Sequence, residues 1–224
     1  MNRRLTALAA LVQNGTGLID VGTDHGYLPV WLAKNGYAGK LFASDIKEGP
    51  LLSARRTAEA AGLTDRICFL LCDGLALCPP DEIDTIVIAG MGGDMIVKIL
   101  DEAEWCMNSR YHLILQPMTK AEVLRYWLVY NGFGIDSETL VEDNSILYQI
   151  ISTRFGGSTR LSDAELFIGK HSLCNSSTLF EEQISQVIAR FEKSVNGMSG
   201  RREEPRRFLY KKILEQLTEM KGKQ

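Results

Sequence analysis

The 224-residue sequence has no apolar run of transmembrane length, and its 45% hydrophobic and 24% charged content is ordinary for a globular protein. It contains three histidines and no C-x-x-C among five cysteines, so we expect no metal site. An odd cysteine count without a disulfide framework predicts reduced thiols and a cytoplasmic location. The net charge of −3 excludes a uniformly basic nucleic-acid binder, although local basic patches remain compatible with nucleic acid.

Up to about residue 153, short apolar runs alternate with longer amphipathic segments. An amphipathic helix is predicted first, within residues 1–15. Strands are then predicted at 17–22, 40–45, 66–72, 83–90 and 111–117, and helices at 26–36, 48–62, 93–104 and 119–131. Nearly continuous Val, Ile and Leu runs indicate strands buried on both faces, which is typical of a doubly wound parallel α/β sheet.

The last two apolar runs of this part, 133–141 and 145–153, are separated by three residues and leave no room for a helix. They predict an antiparallel hairpin at the sheet edge. Parallel strands closed by such a hairpin are typical of the Rossmann-like, class I methyltransferase fold rather than of dehydrogenases. Residues 154–160 are predicted as a linker. Helices follow at 162–172, 177–195 and 203–222, so we predict a catalytic domain at 1–153 and a small domain with a helical hairpin at 154–224.

The loop after the first strand, "DVGTDHG", does not complete a dinucleotide-binding pattern. Gly22 and Gly26 leave G-x-G-x-x-G unfinished, and Asp24 would repel phosphates. S-adenosylmethionine (SAM) has no phosphate and carries an ammonium and a sulfonium, which an acid in this loop suits. The loop therefore favours SAM over a nicotinamide dinucleotide.

Acids end the first three predicted strands: Asp20, Asp45 and Asp73. Each alone has a structural alternative, since an aspartate at a strand end often caps the next helix. All three fall on the carboxyl edge of the sheet, where open α/β sheets bind ligands. Asp45 is placed to accept hydrogen bonds from both ribose hydroxyls, and Asp73 from the adenine amino group.

The fourth strand ends in "IAGMGG", where methyl donor and acceptor meet in this fold. Amino-directed enzymes carry Asn/Asp-Pro-Pro-aromatic at this point, and cytosine-C5 enzymes carry a cysteine; neither is present. The glycines permit close backbone approach to a flat ligand, and Met91 can lie against a base or the cofactor. The structural alternative is a plain strand-to-helix turn.

These motifs resemble the bacterial tRNA (adenine-22-N1)-methyltransferase family, TrmK. The segments "DVGTDHGYLP", "EGP", "IAGMGG" and "LILQP" carry the resemblance, which extends over essentially the whole chain. It implies methyl transfer from SAM to N1 of an adenine in tRNA and a helical domain that helps to hold the tRNA. On the cofactor side it implies Asp20, Gly22, Gly26, Asp45, Ile46, Asp73, Gly74, Ala89 and Gly90. On the side facing the base it implies Asp24, His25, Tyr27 and Met91, although Tyr27 could only pack in the helix and His25 could only cap the turn.

Basic residues concentrate near the C-terminus, and six of them are candidate tRNA contacts: Arg201, Arg202, Arg206, Arg207, Lys211 and Lys212. A solvated helix face is the alternative for each of them. Other readings of the function also stay open, namely a SAM-dependent enzyme acting on another RNA position or on a small molecule, or a non-catalytic RNA-binding protein. The sequence leaves open whether the chain acts as a monomer, and predicts no membrane association.

Overall fold

The structure is a computed structural model that describes residues 2–198 and 204–222. Its strands are β1 (Gly17–Val21), β2 (Lys40–Asp45), β3 (Ile67–Leu71), β4 (Thr85–Gly92), β5 (His112–Thr119), β6 (Phe133–Asp143) and β7 (Ile146–Phe155). Its helices are α1 (Arg3–Leu11), α2 (Tyr27–Lys34), α3 (Glu48–Ala60), α4 (Gly93–Asp101), α5 (Ala121–Tyr130), α6 (Asp163–Ile168), α7 (Ser177–Gly197) and α8 (Glu204–Gly222).

The seven strands form one sheet in the order β3-β2-β1-β4-β5-β7-β6. Strands β1 to β5 are parallel, whereas β7 runs antiparallel to both β5 and β6. The predicted class I methyltransferase topology with its terminal hairpin is therefore confirmed. Because the chain leaves β1 in one direction and β4 in the other, the loops after these two strands separate and open a crevice at the carboxyl edge.

Alternate residues of the central strands enter separate cores on the two faces of the sheet. Ile86 and Ile88 lie in the core beneath α4 and α5, whereas Val87 lies in the core beneath α1, α2 and α3. Burial on both faces explains why β4 is an uninterrupted apolar run rather than an alternating one. The first helix, α1, contributes the fully buried Leu8 to the second core.

The helical region from α6 onward packs on the terminal hairpin through a third apolar core. Leu140 of β6 lies in this core with residues of α6, α7 and α8, among them Ile168, Phe180 and Leu217. Helix α6 is shorter than the predicted 162–172 segment, because Gly169 leaves the helix with φ +79° and a 3₁₀ turn follows at His171–Leu173. A Cβ at Gly169 would collide with the Glu138 carboxylate, so the chain turns where only glycine fits.

A buried ion pair joins α5, the hairpin and α6. The side chains of Arg125 and Glu138 are 0% and 1% exposed, and Arg125 Nη2 lies 2.6 Å from Glu138 Oε2. Arg125 also donates to the Leu166 carbonyl at 2.9 Å and to Gln149 Oε1 at 2.6 Å. These bonds tie the helical region to the sheet. Strand β7 continues to Phe155, two residues beyond the predicted end of the first domain. The division into domains at 1–153 and 154–224 stays a prediction.

Candidate active site

The loop between β1 and α2 is held close to β2 by its backbone. Gly22 and Thr23 both donate their N–H groups to the Ser44 carbonyl at 2.9 Å. Asp24 has φ +51°, a left-handed conformation that costs free energy for a residue with a side chain. Gly26, at φ +68°, caps α2, and a Cβ there would lie 2.9 Å from Ala54 Cβ. Gly26 therefore sets how closely α2 approaches α3.

A cavity of about 520 Å³ opens at the carboxyl ends of β1 to β4. Asp45 and Asp73 lie on its wall, together with the apolar side chains of Met95 and Ile99. Seven of the nine predicted cofactor residues line this large cavity: Gly22, Asp45, Ile46, Asp73, Gly74, Ala89 and Gly90. Asp45 also accepts the Lys47 backbone N–H at 2.9 Å, so its carboxylate has a fixed orientation.

A second, smaller cavity of about 190 Å³ lies beside the large one, between α1 and the β1–α2 loop. It contains three of the predicted base-facing residues, Asp24, His25 and Tyr27. Four residues line both cavities: Gly22, Asp24, Ala89 and Gly90. The two spaces thus meet at the ends of β1 and β4, and two ligands bound in them would be neighbours.

Asp20 lines the small cavity and is a buried acid, 6% exposed. It accepts a 2.7 Å hydrogen bond from Thr23 Oγ1. Burial raises the pKa of its carboxyl group to about 7, and the charge of Asp45 adds to this, whereas the Thr23 hydrogen bond and the charge of Arg4 oppose it. Within residues 2–198 and 204–222 no cationic side chain forms an ion pair with Asp20. A cationic group of a ligand would compensate the charge of the ionised Asp20 carboxylate.

Arg4 lies on the wall of the small cavity, and Gln116 lies behind it and holds it by a hydrogen bond. Gln116, fully buried, accepts from Arg4 Nη1 at 2.7 Å and from the Gly90 N–H at 3.1 Å. Arg4 also lies over the Tyr148 ring, 5.5 Å from its centroid. Neither residue is among the site residues predicted from the sequence. A polar glutamine inside the apolar "LILQP" strand was a usable signal, because buried amides need partners.

The histidine and tyrosine of the loop hold each other in place. His25 Nδ1 lies 2.7 Å from Ser53 Oγ of α3, and its Nε2 lies 3.5 Å from Asp24 Oδ2. The His25 and Tyr27 rings are stacked with centroids 5.3 Å apart. Tyr27 remains 51% exposed, so it does not serve only as a core residue.

Met91 belongs to the large cavity and touches the loop of β1. A Cβ on Gly22, whose φ is +70°, would collide with the Met91 Cε methyl group. The glycine at position 22 is therefore required both by the backbone conformation and by Met91. Strand β4 continues in a bulged conformation to Gly92 rather than ending at residue 90, because Met91 and Gly92 still pair with the end of β5.

The candidate tRNA contacts differ in whether their side chains already bind another residue of the protein. Arg207 and Lys211 are exposed on α8. Arg206 donates to the Tyr210 hydroxyl at 2.9 Å, and Lys212 lies 3.3 Å from Asp163 Oδ2. Arg201 and Arg202 lie outside the described residues. In the described ranges there is no cluster of three potential metal ligands, and no helix is both long and apolar enough to cross a membrane.

The large cavity fits a SAM molecule on several grounds. Its acids suit hydroxyl and amino donors, its apolar wall suits a flat base, and Gly22 and Gly90 have no side chain to keep a ligand away from the backbone. Asp24 lies in the loop where a dinucleotide would place its pyrophosphate, and its charge would repel that group. The fold and the site together define the class: a SAM-dependent methyltransferase. In agreement, residues 1–151 match the family model described as a methyltransferase domain.

Proteins similar to this chain indicate which family of methyltransferases it belongs to. The tRNA (adenine(22)-N(1))-methyltransferase of Bacillus subtilis is 35% identical over 156 residues, which cover 70% of this chain and 66% of that enzyme. A Streptococcus pneumoniae structure, described as a putative tRNA (m1A22) methyltransferase in complex with S-adenosyl-L-methionine, is 30% identical with a TM-score of 0.84 and 98% coverage of both chains. Mycoplasma capricolum TrmK bound to S-adenosyl-homocysteine is 27% identical, with a TM-score of 0.80 over 96% of this chain and 98% of that one.

The chain belongs to the same family as these tRNA methyltransferases. The resemblance of its sequence motifs to TrmK is thereby confirmed, and the likeness in structure includes the helical region.

Proposed function

We propose that this protein transfers a methyl group from SAM to N1 of adenine 22 in tRNA. The observation that carries the proposal is the meeting of two cavities at Gly22, Asp24, Ala89 and Gly90. The large cavity suits the adenosine part of SAM, and the small one, with Tyr27 and His25, suits the target base. Their shared wall puts donor and acceptor side by side, which is the main requirement of a direct transfer.

In the large cavity, Asp45 accepts hydrogen bonds from the two ribose hydroxyls, and Asp73 accepts one from the adenine amino group. The amino-acid end of SAM extends past the shared wall to Asp20, which lines the small cavity and whose ionised carboxylate offsets the ammonium charge. When bound, SAM supplies an electrophilic methyl group on a cationic sulfur. Met91 packs against the loop at Gly22 and lines the large cavity beside the shared wall.

No residue has to remove a proton before attack. N1 of neutral adenine carries an in-plane lone pair, so the new N–C bond forms as the S–C bond breaks, and the positive charge passes from sulfur to the base. Asp24 lies on the shared wall and is placed to stabilise the cationic product. Tyr27 lies against the base, and His25, fixed by Ser53, shapes the loop. The absence of Asn/Asp-Pro-Pro-aromatic fits a ring nitrogen as acceptor.

The helical region supplies contacts to the rest of the tRNA in this proposal. Of the candidate tRNA contacts on α8, Arg207 and Lys211 make no side-chain hydrogen bond or ion pair within the described residues, whereas Arg206 and Lys212 are already engaged within the protein. Binding through phosphates makes the affinity depend on salt. The proposed reaction places the protein with tRNA in the cytoplasm.

The test uses two tRNA transcripts that differ only in carrying adenine or guanine at position 22. Each is incubated with SAM, digested and mapped by mass. We expect one methyl group on N1 of the adenine and none on the matched transcript. Methylation of both transcripts, or of neither, overturns the proposal, and methylation of a small molecule in an extract without tRNA would favour the alternative substrate class.

A further inference from the structure

A third cavity lies next to the small one, on the outer side of α2. It is a groove of about 420 Å³ between α1, α2 and α3, here called the α2 groove. Its wall is mainly apolar and is formed by Asn2, Leu5, Tyr27, Val30, Trp31, Lys34 and Thr57. Leu5 and Tyr27 also line the small cavity, so the groove continues directly from the proposed base site.

The aromatic side chains of the groove follow from the helix repeat. Tyr27 and Trp31 are four residues apart and Lys34 is three residues further, so all three lie on one stripe of α2. From Tyr27 to Lys34 the helix rises by about 10 Å. The stripe therefore leads from the base site, past two aromatic rings, to an exposed ammonium group.

Core packing alone does not account for this stripe. Trp31 is only partly buried against the core beneath α1 to α3, and Tyr27 is 51% exposed. Lys34 is exposed and, within the part of the chain that the structure describes, makes no ion pair. Aromatic rings interleaved with a cation are the features that bind single-stranded nucleic acid, because bases stack on the rings and phosphates contact the cation.

We propose that the α2 groove binds the nucleotide next to the target adenine, with its base against Trp31 and its phosphate at Lys34. This inference rests on the proposed function, because it takes the small cavity as the site of the target base. An adenine that enters that cavity must be unstacked from its neighbours, and the α2 groove is a surface continuous with the cavity on which a neighbouring nucleotide can lie. A stacking partner on the protein replaces the stacking that the neighbouring base loses.

The first experiment measures single-turnover methylation of tRNA at saturating SAM. We expect Trp31→Ala to raise the half-saturating tRNA concentration about 10-fold, and Trp31→Tyr to keep it near the wild-type value, since a ring still stacks. Lys34→Ala should reduce the slope of log affinity against log salt by the amount expected for the loss of about one phosphate contact. Tyr130→Ala and Lys193→Ala, exposed residues on α5 and α7, are the matched controls. SAM affinity, measured by calorimetry, shows that each variant is folded.

A second experiment separates stacking from a structural effect of Trp31. The tRNA is made with an abasic residue on either side of the target adenine, and both forms are tested with wild type and Trp31→Ala. One abasic form should bind wild type about 10-fold more weakly and lose nothing further in Trp31→Ala. Quenching of tryptophan fluorescence by intact tRNA should likewise disappear in Trp31→Phe.

The outcomes are distinct. If wild type methylates intact tRNA but Trp31→Ala does so with unchanged half-saturation, or if the abasic and Trp31 effects simply add, the α2 groove binds no nucleotide and the inference is overturned. A wild-type protein that leaves intact tRNA unmethylated overturns the proposed function instead.

Discussion

Two buried carboxylates in this molecule have opposite surroundings. Glu138, at the junction of the hairpin and the helical region, is fully paired with Arg125, whose other donors bond a carbonyl and an amide. Asp20, at the end of β1, has one hydrogen bond from Thr23 and a pKa raised to about 7. A charge that the fold surrounds with partners holds structure together. A charge that the fold buries without a cation is prepared for one that arrives with a ligand.

The largest effect should come from breaking the paired carboxylate. Arg125→Met leaves Glu138 buried and uncompensated, so we expect the free energy of unfolding to fall by about 3–5 kcal/mol. Urea denaturation measures this, with Arg56→Met, an exposed arginine on α3, as the control. The double variant Arg125→Met/Glu138→Leu should recover most of the loss, since no isolated charge remains. A loss below about 1 kcal/mol for Arg125→Met would mean that the junction is held mainly by its apolar core.

The Arg125–Glu138 pair is a feature that could not be predicted from the sequence. The strands, their hairpin and the acids of the β1–α2 loop were predictable, because each rests on a local pattern: an apolar run, a glycine spacing, an acid at a strand end. Arg125 and Glu138 meet only after α5 packs beside β6 and α6. The end of α6 at Gly169 depends on the same carboxylate, so the predicted helix 162–172 was too long.

The unpaired carboxylate should behave in the opposite way when neutralised. Asp20→Asn keeps an acceptor for Thr23 but loses the charge, so we expect SAM binding to weaken by about 2–3 kcal/mol. Calorimetry with SAM at pH 8 measures this loss. Unfolding of the ligand-free protein should show no loss of stability in the same variant. Unchanged SAM affinity would remove Asp20 from the cofactor site.

The pH dependence of stability sharpens the same contrast. The folded pKa of Asp20, about 7, lies above the ordinary value of 3.8, so the folded protein binds this proton more tightly than the unfolded chain does. Its contribution to stability is fully present below about pH 4 and is lost as pH rises to about 7. Ligand-free wild type should therefore lose stability over this window relative to Asp20→Asn, whereas SAM affinity should rise through pH 7. Parallel stability curves for the two proteins would contradict the assignment.

Asp24 is an exposed acid of the same site. Its side chain is 69% exposed, so solvent screens its charge and the effect should be smaller. We expect Asp24→Asn to slow single-turnover methylation about tenfold and to leave clear residual activity. The rate should not follow the titration of one essential base. A rate that falls tenfold per pH unit below a single pKa, with the dependence and the activity both lost in Asp24→Asn or His25→Ala, would show that proton abstraction belongs to the mechanism.

The smallest effects should come from the helical region, where charge lies on the surface. Arg207→Ala and Lys211→Ala each remove one free cation of α8, whereas Lys212→Ala removes a cation that already pairs with Asp163. If α8 contacts phosphates, each of the first two variants should weaken tRNA binding about two- to threefold and reduce the slope of log affinity against log salt by about 0.7–0.9. Lys212→Ala should change the slope less, because its charge is partly compensated. Filter binding over a series of salt concentrations decides this. Equal slopes for all four proteins would mean that the helical region only completes the apolar core around Leu140, and that tRNA is held by the carboxyl edge of the sheet alone.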